Sequence, residues 1–141
     1  MLNTLQEAAE NFCSHQIGTT CKTRETPADK KVFIAYIDIQ TNSGSKNRVY
    51  IASDTDFIQR VSKLFLEEEE SDEETLKDMT LETANLIVGS AKVIAEQLEL
   101  PYTIGTPHFE KFDQFNFDYD EIKVICIDND ELIIAVKELN A

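Results

Sequence analysis

The sequence has no apolar run approaching the roughly 18 residues of a membrane span, so a membrane is not expected as its setting. It is also poor in cations, with 13 Lys and Arg against 27 Asp and Glu and a formal net charge of −14. Sequence-independent binding to phosphate backbones depends on clustered Lys and Arg, so nucleic acid is not expected as a partner. Three cysteines, Cys13, Cys21 and Cys126, are odd in number and scattered, with no CxxC pair and no His at zinc-ligand spacing. They read as free thiols, with Cys126 buried in a strand. Two histidines, His15 and His108, stand far apart, and no nucleophile motif, Gly-rich phosphate loop or metal-ligand cluster accompanies them. These gaps argue against a conventional enzyme with a small-molecule pocket and make His108 a strand-edge residue. The opening "MLNTLQEAAENF" lacks the basic start and apolar region of an export signal, so the expected compartment is the cytoplasm.

What is present, 141 residues with 42% hydrophobic and 28% charged, suits a single domain spanning 1–141 that buries its own core. No repeat or Pro-rich linker divides it. The acidic run "EEEESDEE" at 67–74 puts seven carboxylates in eight positions and reads as a solvated, self-repelling connector. It lacks the spaced oxygens and the turn Gly of a calcium loop. A second reading of the run is a docking element for a basic partner.

Helical spacing of Leu2, Leu5, Ala8 or Ala9 and Phe12 predicts a first helix over 2 to about 16, with Gly18 as its terminator. "KVFIAYIDIQ" at 31–40 and "RVYIAS" at 48–53 flank the turn-rich "TNSGSKN" and predict a hairpin. A second helix follows from Ser53 or Asp54 as cap and from Phe57, Ile58, Val61, Leu64 and Phe65. A long helix at about 75–99 is next, stopped before Pro101. Then come "PYTIGTPHF", the aromatic and polar "EKFDQFNFDYD", and a hairpin of "EIKVICID" and "ELIIAVKEL" turning at Asn129 and Asp130. The order α-β-β-α-α-β-β-β predicts an α+β fold, its helices packed on a mostly antiparallel sheet.

In the long helix, steps of three and four place Leu81, Ala84, Val88, Ala91, Ala95 and Leu98 on one buried stripe. Shifted by one, Glu82, Asn85, Gly89, Lys92 and Glu96 form a second, solvent-facing stripe. Glu82 and Asn85 stand one turn apart on it and can meet one partner. Gly89 costs roughly 1 kcal/mol relative to Ala in an exposed helix, which a closely approaching surface would explain, although tight helix packing also places Gly in helices. Periodicity alone leaves the pair open between the wet face of an amphipathic helix and a functional site.

The pattern Asp78-x-x-x-Glu82-x-x-Asn85, followed by "LIVGSAK" and by Pro107 about twenty residues on, resembles the phosphatase signature of the CheC/CheX/FliY family of bacterial chemotaxis. It most resembles the CheX branch, because one copy occurs where CheC-type chains carry two. Pro107 arrives one residue earlier than in the pattern, which implies a shortened helix-to-strand turn. The resemblance implies that the substrate is a phosphorylated CheY-like response regulator carrying a phosphoaspartate, and that the regulator supplies its own Mg²⁺ and a Lys, leaving this chain without a cofactor. It implies Glu82 and Asn85 as the catalytic pair, Glu82 docking to that Lys and Asn85 positioning a water, with Asp78, Gly89 and Lys92 as partner contacts. It also implies a homodimer paired through its sheets, for which the C-terminal strands "VICID" and "LIIAVKEL" offer an edge. A non-catalytic module that merely binds a regulator or a flagellar component is the competing expectation.

Overall fold

The computed structural model describes residues 1–139. Two long β-rich segments with a short polar turn between them, Lys31–Thr41 (β2) and Lys46–Ser53 (β3), pair antiparallel from Phe33 with Ser53 to Gln40 with Lys46. On β2, Phe33, Ala35, Ile37 and Ile39 join the larger of two core clusters while Val32 and Ile34 join the other. Period-two alternation therefore sends apolar side chains to both faces, as in a sheet covered on each side. On β3, Val49 and Ile51 go one way and Tyr50 and Ala52 the other.

Glu121–Ile127 (β6) and Asp130–Glu138 (β7) form the second hairpin, and β7 pairs with β3 along its other side. The resulting order is β1-β6-β7-β3-β2-β4, with β5 also on β2, where β1 is Lys22–Arg24, β4 Tyr102–Ile104 and β5 His108–Gln114. The α+β class is as expected, with short β1 and a division of the 101–114 region into β4 and β5 added to it. Gly105 marks that division, its N–H donating to the Asp38 carbonyl at 2.8 Å, with that oxygen only 3.2 Å from where a Cβ would stand. One expectation fails. "LIIAVKEL" is no sheet edge, because β7 is paired on both sides, and β6 lies between β7 and β1. The turn also sits one residue earlier than expected, at Asp128 and Asn129, because Asp130 is drawn into β7 and held by the Arg60 guanidinium.

Helices cover one face. Leu2–Asn11 (α1) buries Leu5, Ala8 and Ala9, then widens into a π-helical turn, Phe12–Ile17, that ends at Gly18 with φ +80°. Thr55–Leu66 (α2) starts at Asp54, whose carboxylate accepts from the Phe57 N–H at 2.8 Å. It buries Phe57, Ile58 and Val61, whereas Leu64 and Phe65 stay exposed, Phe65 reaching Phe12 at 6.5 Å between ring centroids. The opposite face is capped by the chain after β5, where Phe115 and Phe117 pack on Tyr50 at 5.5 and 4.8 Å. No helix of the described residues is long and apolar enough to cross a membrane.

Glu73–Gln97 (α3) ends in a motif normally built with glycine. The Leu100 N–H donates to Ala95 O at 2.8 Å and the Glu99 N–H to Glu96 O at 3.1 Å, which puts Glu99 in the left-handed region at φ +60°. A side chain with Cβ is strained there, and a carboxylate faces the negative end of the helix dipole. Glu99→Gly is expected to stabilise the fold by about 0.5–1 kcal/mol after the entropy of an unfolded Gly is deducted, raising Tm by a few degrees. Thermal unfolding measures this, and a lowered Tm contradicts it.

Candidate functional site

The site is built on the outward side of α3. Asp72 caps this helix by accepting from the Thr75 N–H at 2.8 Å, an interaction that holds the Asp72 carboxyl below the usual range. Glu73 and Glu74 fill the first turn, where the helix dipole favours negative charge. The helix thus begins two residues earlier than the apolar periodicity suggests, and takes the end of the acidic run into itself. The rest of the run is tied down: Gln59 donates to Glu68 O at 3.1 Å and accepts from the Ser71 N–H at 2.9 Å.

Inward, α3 buries Leu76, Thr80, Thr83, Ala84, Ile87, Val88, Ala91 and Ala95. The expected stripe is right at Ala84, Val88, Ala91 and Ala95, holds in part at Leu81, which is half-buried against the core, and fails at Leu98, which is 58% exposed. The true stripe lies rotated toward Thr80, Thr83 and Ile87. Thr80 serves there because its hydroxyl donates back to Leu76 O at 2.8 Å, which hides its polarity within the helix.

That rotation leaves Asp78, Glu82 and Asn85 exposed over a span of eight residues, about 10 Å of helix axis. Among the described residues, no hydrogen bond or ion pair engages the side chain of Asp78, Glu82 or Asn85. Gly89 follows one turn beyond Asn85, and a Cβ placed on it meets nothing within 4 Å, so the protein itself does not require its smallness. Lys92 is half-buried and pairs with Glu96 at 3.9 Å. All five residues singled out in the sequence therefore lie on α3, four of them facing outward together and Lys92 partly engaged along the helix.

Two apolar neighbours escaped the sequence reading. Leu86 is 39% exposed and Val93 53% exposed, flanking Glu82, Asn85 and Gly89 on the same outward arc. The seven-residue step between them was the available signal. Leu86 and Ser90 also wall an open groove of about 290 Å³ against Ala8, Asn11, Phe12, His15 and Gln16. His15 thus lines this groove, while His108 heads β5 and stacks on Tyr36 at 5.2 Å between centroids. Among the described residues, no cluster of three or more His, Cys, Asp or Glu is arranged to hold a metal ion. What the stripe offers is a convex ridge with an anionic acceptor, a neutral amide and a flat place between them and the helix end. Such a surface orients groups on something that comes to it, and encloses nothing.

The profile of a family described as chemotaxis phosphatase CheX matches residues 34–129, a span that holds the whole of α3. No curated protein matches the sequence. Among solved structures, the chemotaxis protein CheX from Vibrio vulnificus is similar at 16% identity and TM-score 0.79, covering 96% of this chain and 95% of that one. CheX from Desulfovibrio desulfuricans is similar at 15% identity and TM-score 0.73, with 97% of each chain covered. A CheX–CheY–BeF₃–Mg²⁺ complex from Borrelia burgdorferi is similar at 16% identity and TM-score 0.66, again over 97% of each chain. At these identities the likeness is one of fold.

Because the space around Gly89 is open, Gly89→Ala is expected to stabilise the isolated protein by about 1 kcal/mol through helix propensity. Chemical denaturation of the two forms measures it, and destabilisation would mean that a contact within the fold demands the glycine.

Proposed function

We propose, since this chain belongs to the chemotaxis phosphatase CheX family, that it hydrolyses the phosphoaspartate of a phosphorylated CheY-like response regulator with the outward stripe of α3. The observation that carries this reading is the pairing of Glu82 and Asn85, exposed, one turn apart and without partners on a helix whose other face is locked into the core. The CheY in the similar Borrelia burgdorferi complex supports the choice of partner, and its BeF₃ has the shape and charge of a phosphoryl group. The described chain acts as one CheX-like domain.

An acyl phosphate is already labile, so the enzyme needs no nucleophile of its own. The Mg²⁺ belongs to the regulator's site, where it neutralises phosphoryl charge. Asn85 accepts a hydrogen bond from a water and turns its lone pair toward phosphorus, in line with the bond to the aspartyl oxygen. As the water oxygen bonds to phosphorus, the aspartyl carboxylate leaves and the water's proton passes to phosphate. This is catalysis by positioning. The amide suits the task because it is neutral, where a carboxylate would repel the phosphoryl oxygens. Glu82 docks the ridge by accepting a charge-assisted hydrogen bond from the regulator's Lys. Asp78 and Lys92 contact the partner on either side, and Gly89 lets its surface come close.

Phosphate release from a phosphorylated regulator tests this. Asn85→Ala is expected to cut the acceleration about 100-fold while leaving regulator affinity unchanged. Glu82→Ala is expected to weaken docking about 10- to 100-fold, the worth of a charged hydrogen bond of roughly 1.5–3 kcal/mol. Binding without accelerated release by the unaltered protein would make the chain a non-catalytic regulator-binding module instead.

The family reading also carries a homodimer. Its sheet pairing is available at β1 on one side and at β4 and β5 on the other, since β7 is internal. Sedimentation at micromolar concentration is expected to give twice the chain mass, and a monomer mass overturns it.

A further inference from the structure

A stable, specific complex takes roughly 800 Å² of surface from each partner. The stretch of α3 from Asp78 to Asn85 is about 10 Å long and, at the diameter of one helix, about 10 Å wide, so it supplies on the order of 100 Å². A partner docked on Glu82 and Asn85 therefore covers one flank of the ridge as well. On the flank toward β5 the cations are already engaged: Lys77 pairs with Glu74 at 3.7 Å and lies 5.1 Å from the centre of the Phe109 ring, and Lys92 pairs with Glu96 at 3.9 Å. The flank toward α1 is different. Leu86 and Val93 are 39% and 53% exposed there, and Leu86 and Ser90 wall an open groove of about 290 Å³ whose other side is α1 and its π-helical turn, a widening common at functional sites. Buried Phe12 lines this groove, and among the described residues the side chains of Asn11, His15, Gln16 and Ser90 around it make no hydrogen bond or ion pair. No carboxylate lines it, in a chain with 27 Asp and Glu.

We propose that this groove is the specificity pocket of the complex, taking one bulky apolar side chain of the response regulator that docks on Glu82 and Asn85. It rests on that regulator being the partner of α3. Phe12 and Leu86 supply the apolar contact, and burial of an exposed leucine is worth a tenfold gain in affinity or more. The free amides of Asn11 and Gln16, the His15 imidazole and the Ser90 hydroxyl are placed to hydrogen-bond backbone groups beside the incoming side chain, so that their burial leaves no polar group unpaired. The charge agrees with this occupant. A phosphoaspartyl surface is anionic, and its repulsion by a chain of net charge −14 is least over a groove without carboxylates. Leu86 follows Asn85 and Ser90 follows Gly89, so the pocket and the ridge form one continuous surface that a single partner spans. A second copy of this chain in the groove would instead crowd the ridge and shut off Asn85.

The test titrates the full-length chain with a CheY-like response regulator carrying BeF₃ and Mg²⁺, and follows phosphate release from the phosphorylated regulator separately. Leu86→Asp puts a charge on the wall and Ser90→Trp fills the groove, and both positions face solvent, so Tm is expected to stay as it is. Each variant is expected to weaken binding about tenfold and to raise KM by the same factor with kcat unmoved, whereas Asn85→Ala lowers kcat. Binding by both variants within twofold of the unaltered chain overturns the proposal. So does a sedimentation mass halved by either variant, which would make the groove a contact between copies. If the unaltered chain binds the regulator without accelerating release, the hydrolytic function fails, and the two variants' affinities still decide the pocket. If it does not bind at all, both fall.

Discussion

Two buried carboxylates, Asp54 and Glu131, tie the ends of four segments to one point. Glu131 is 0% exposed and Asp54 is 4% exposed, and ions so placed cost several kcal/mol each unless fully paired. Glu131 takes the Arg24 guanidinium and the Ala28 N–H, at 2.9 Å, while Lys30 Nζ lies 3.8 Å away. Asp54 takes Lys30 Nζ at 2.6 Å, the Glu131 N–H at 2.8 Å and, as helix cap, the Phe57 N–H. The end of β3, the first turn of α2, the start of β7 and the arm at 24–30 are thereby fixed relative to each other. Because each charge is neutralised by the others' scaffold, losing one partner would leave a buried ion behind. The direction of α2 is set here, and with it the place where the acidic connector delivers the chain into α3.

From that start α3 runs 25 residues with eight buried side chains clamping it to the helical layer and the sheet. A ridge held this firmly spends little backbone conformational entropy when a partner arrives, leaving only the exposed side chains to be ordered. A loop carrying the same two side chains would have to be ordered first. The cap at Asp72 and the glutamates of the first turn hold one end, and the unusual left-handed Glu99 closes the other.

The β2–β3 and β6–β7 hairpins, the three helices and the outward placement of Glu82 and Asn85 were all legible, because each rests on local periodicity or turn chemistry. The three residues of β1, all exposed, carry no such signal. They are strand only because Val124–Cys126 offers an edge and Glu131 needs Arg24. The inner stripe of α3 was misread at Leu98 and missed Thr80, Thr83 and Ile87, since which of two adjacent arcs faces the core is decided by the neighbours. Thr80 and Thr83 look polar on paper and yet are buried. The return of the chain after α1 depends on Gly18, at φ +80°, closing a π-helical widening that no simple spacing rule announces. Nor does alternation within "ELIIAVKEL" say that both its edges are taken.

That last point bears on how the molecule assembles during synthesis. β3 pairs with β7, and about eighty residues separate them, so as β3 emerges from the ribosome one of its edges has no partner until the 130–138 segment follows. The β2–β3 hairpin and the helices form from nearby contacts, while the sheet acquires its middle strand late. Non-local pairing of this kind pays its loop-closure entropy before its reward and slows folding. In the interval, apolar Val49, Tyr50 and Ile51 stand along an open ladder, a natural footing for a chaperone or for a neighbouring nascent chain.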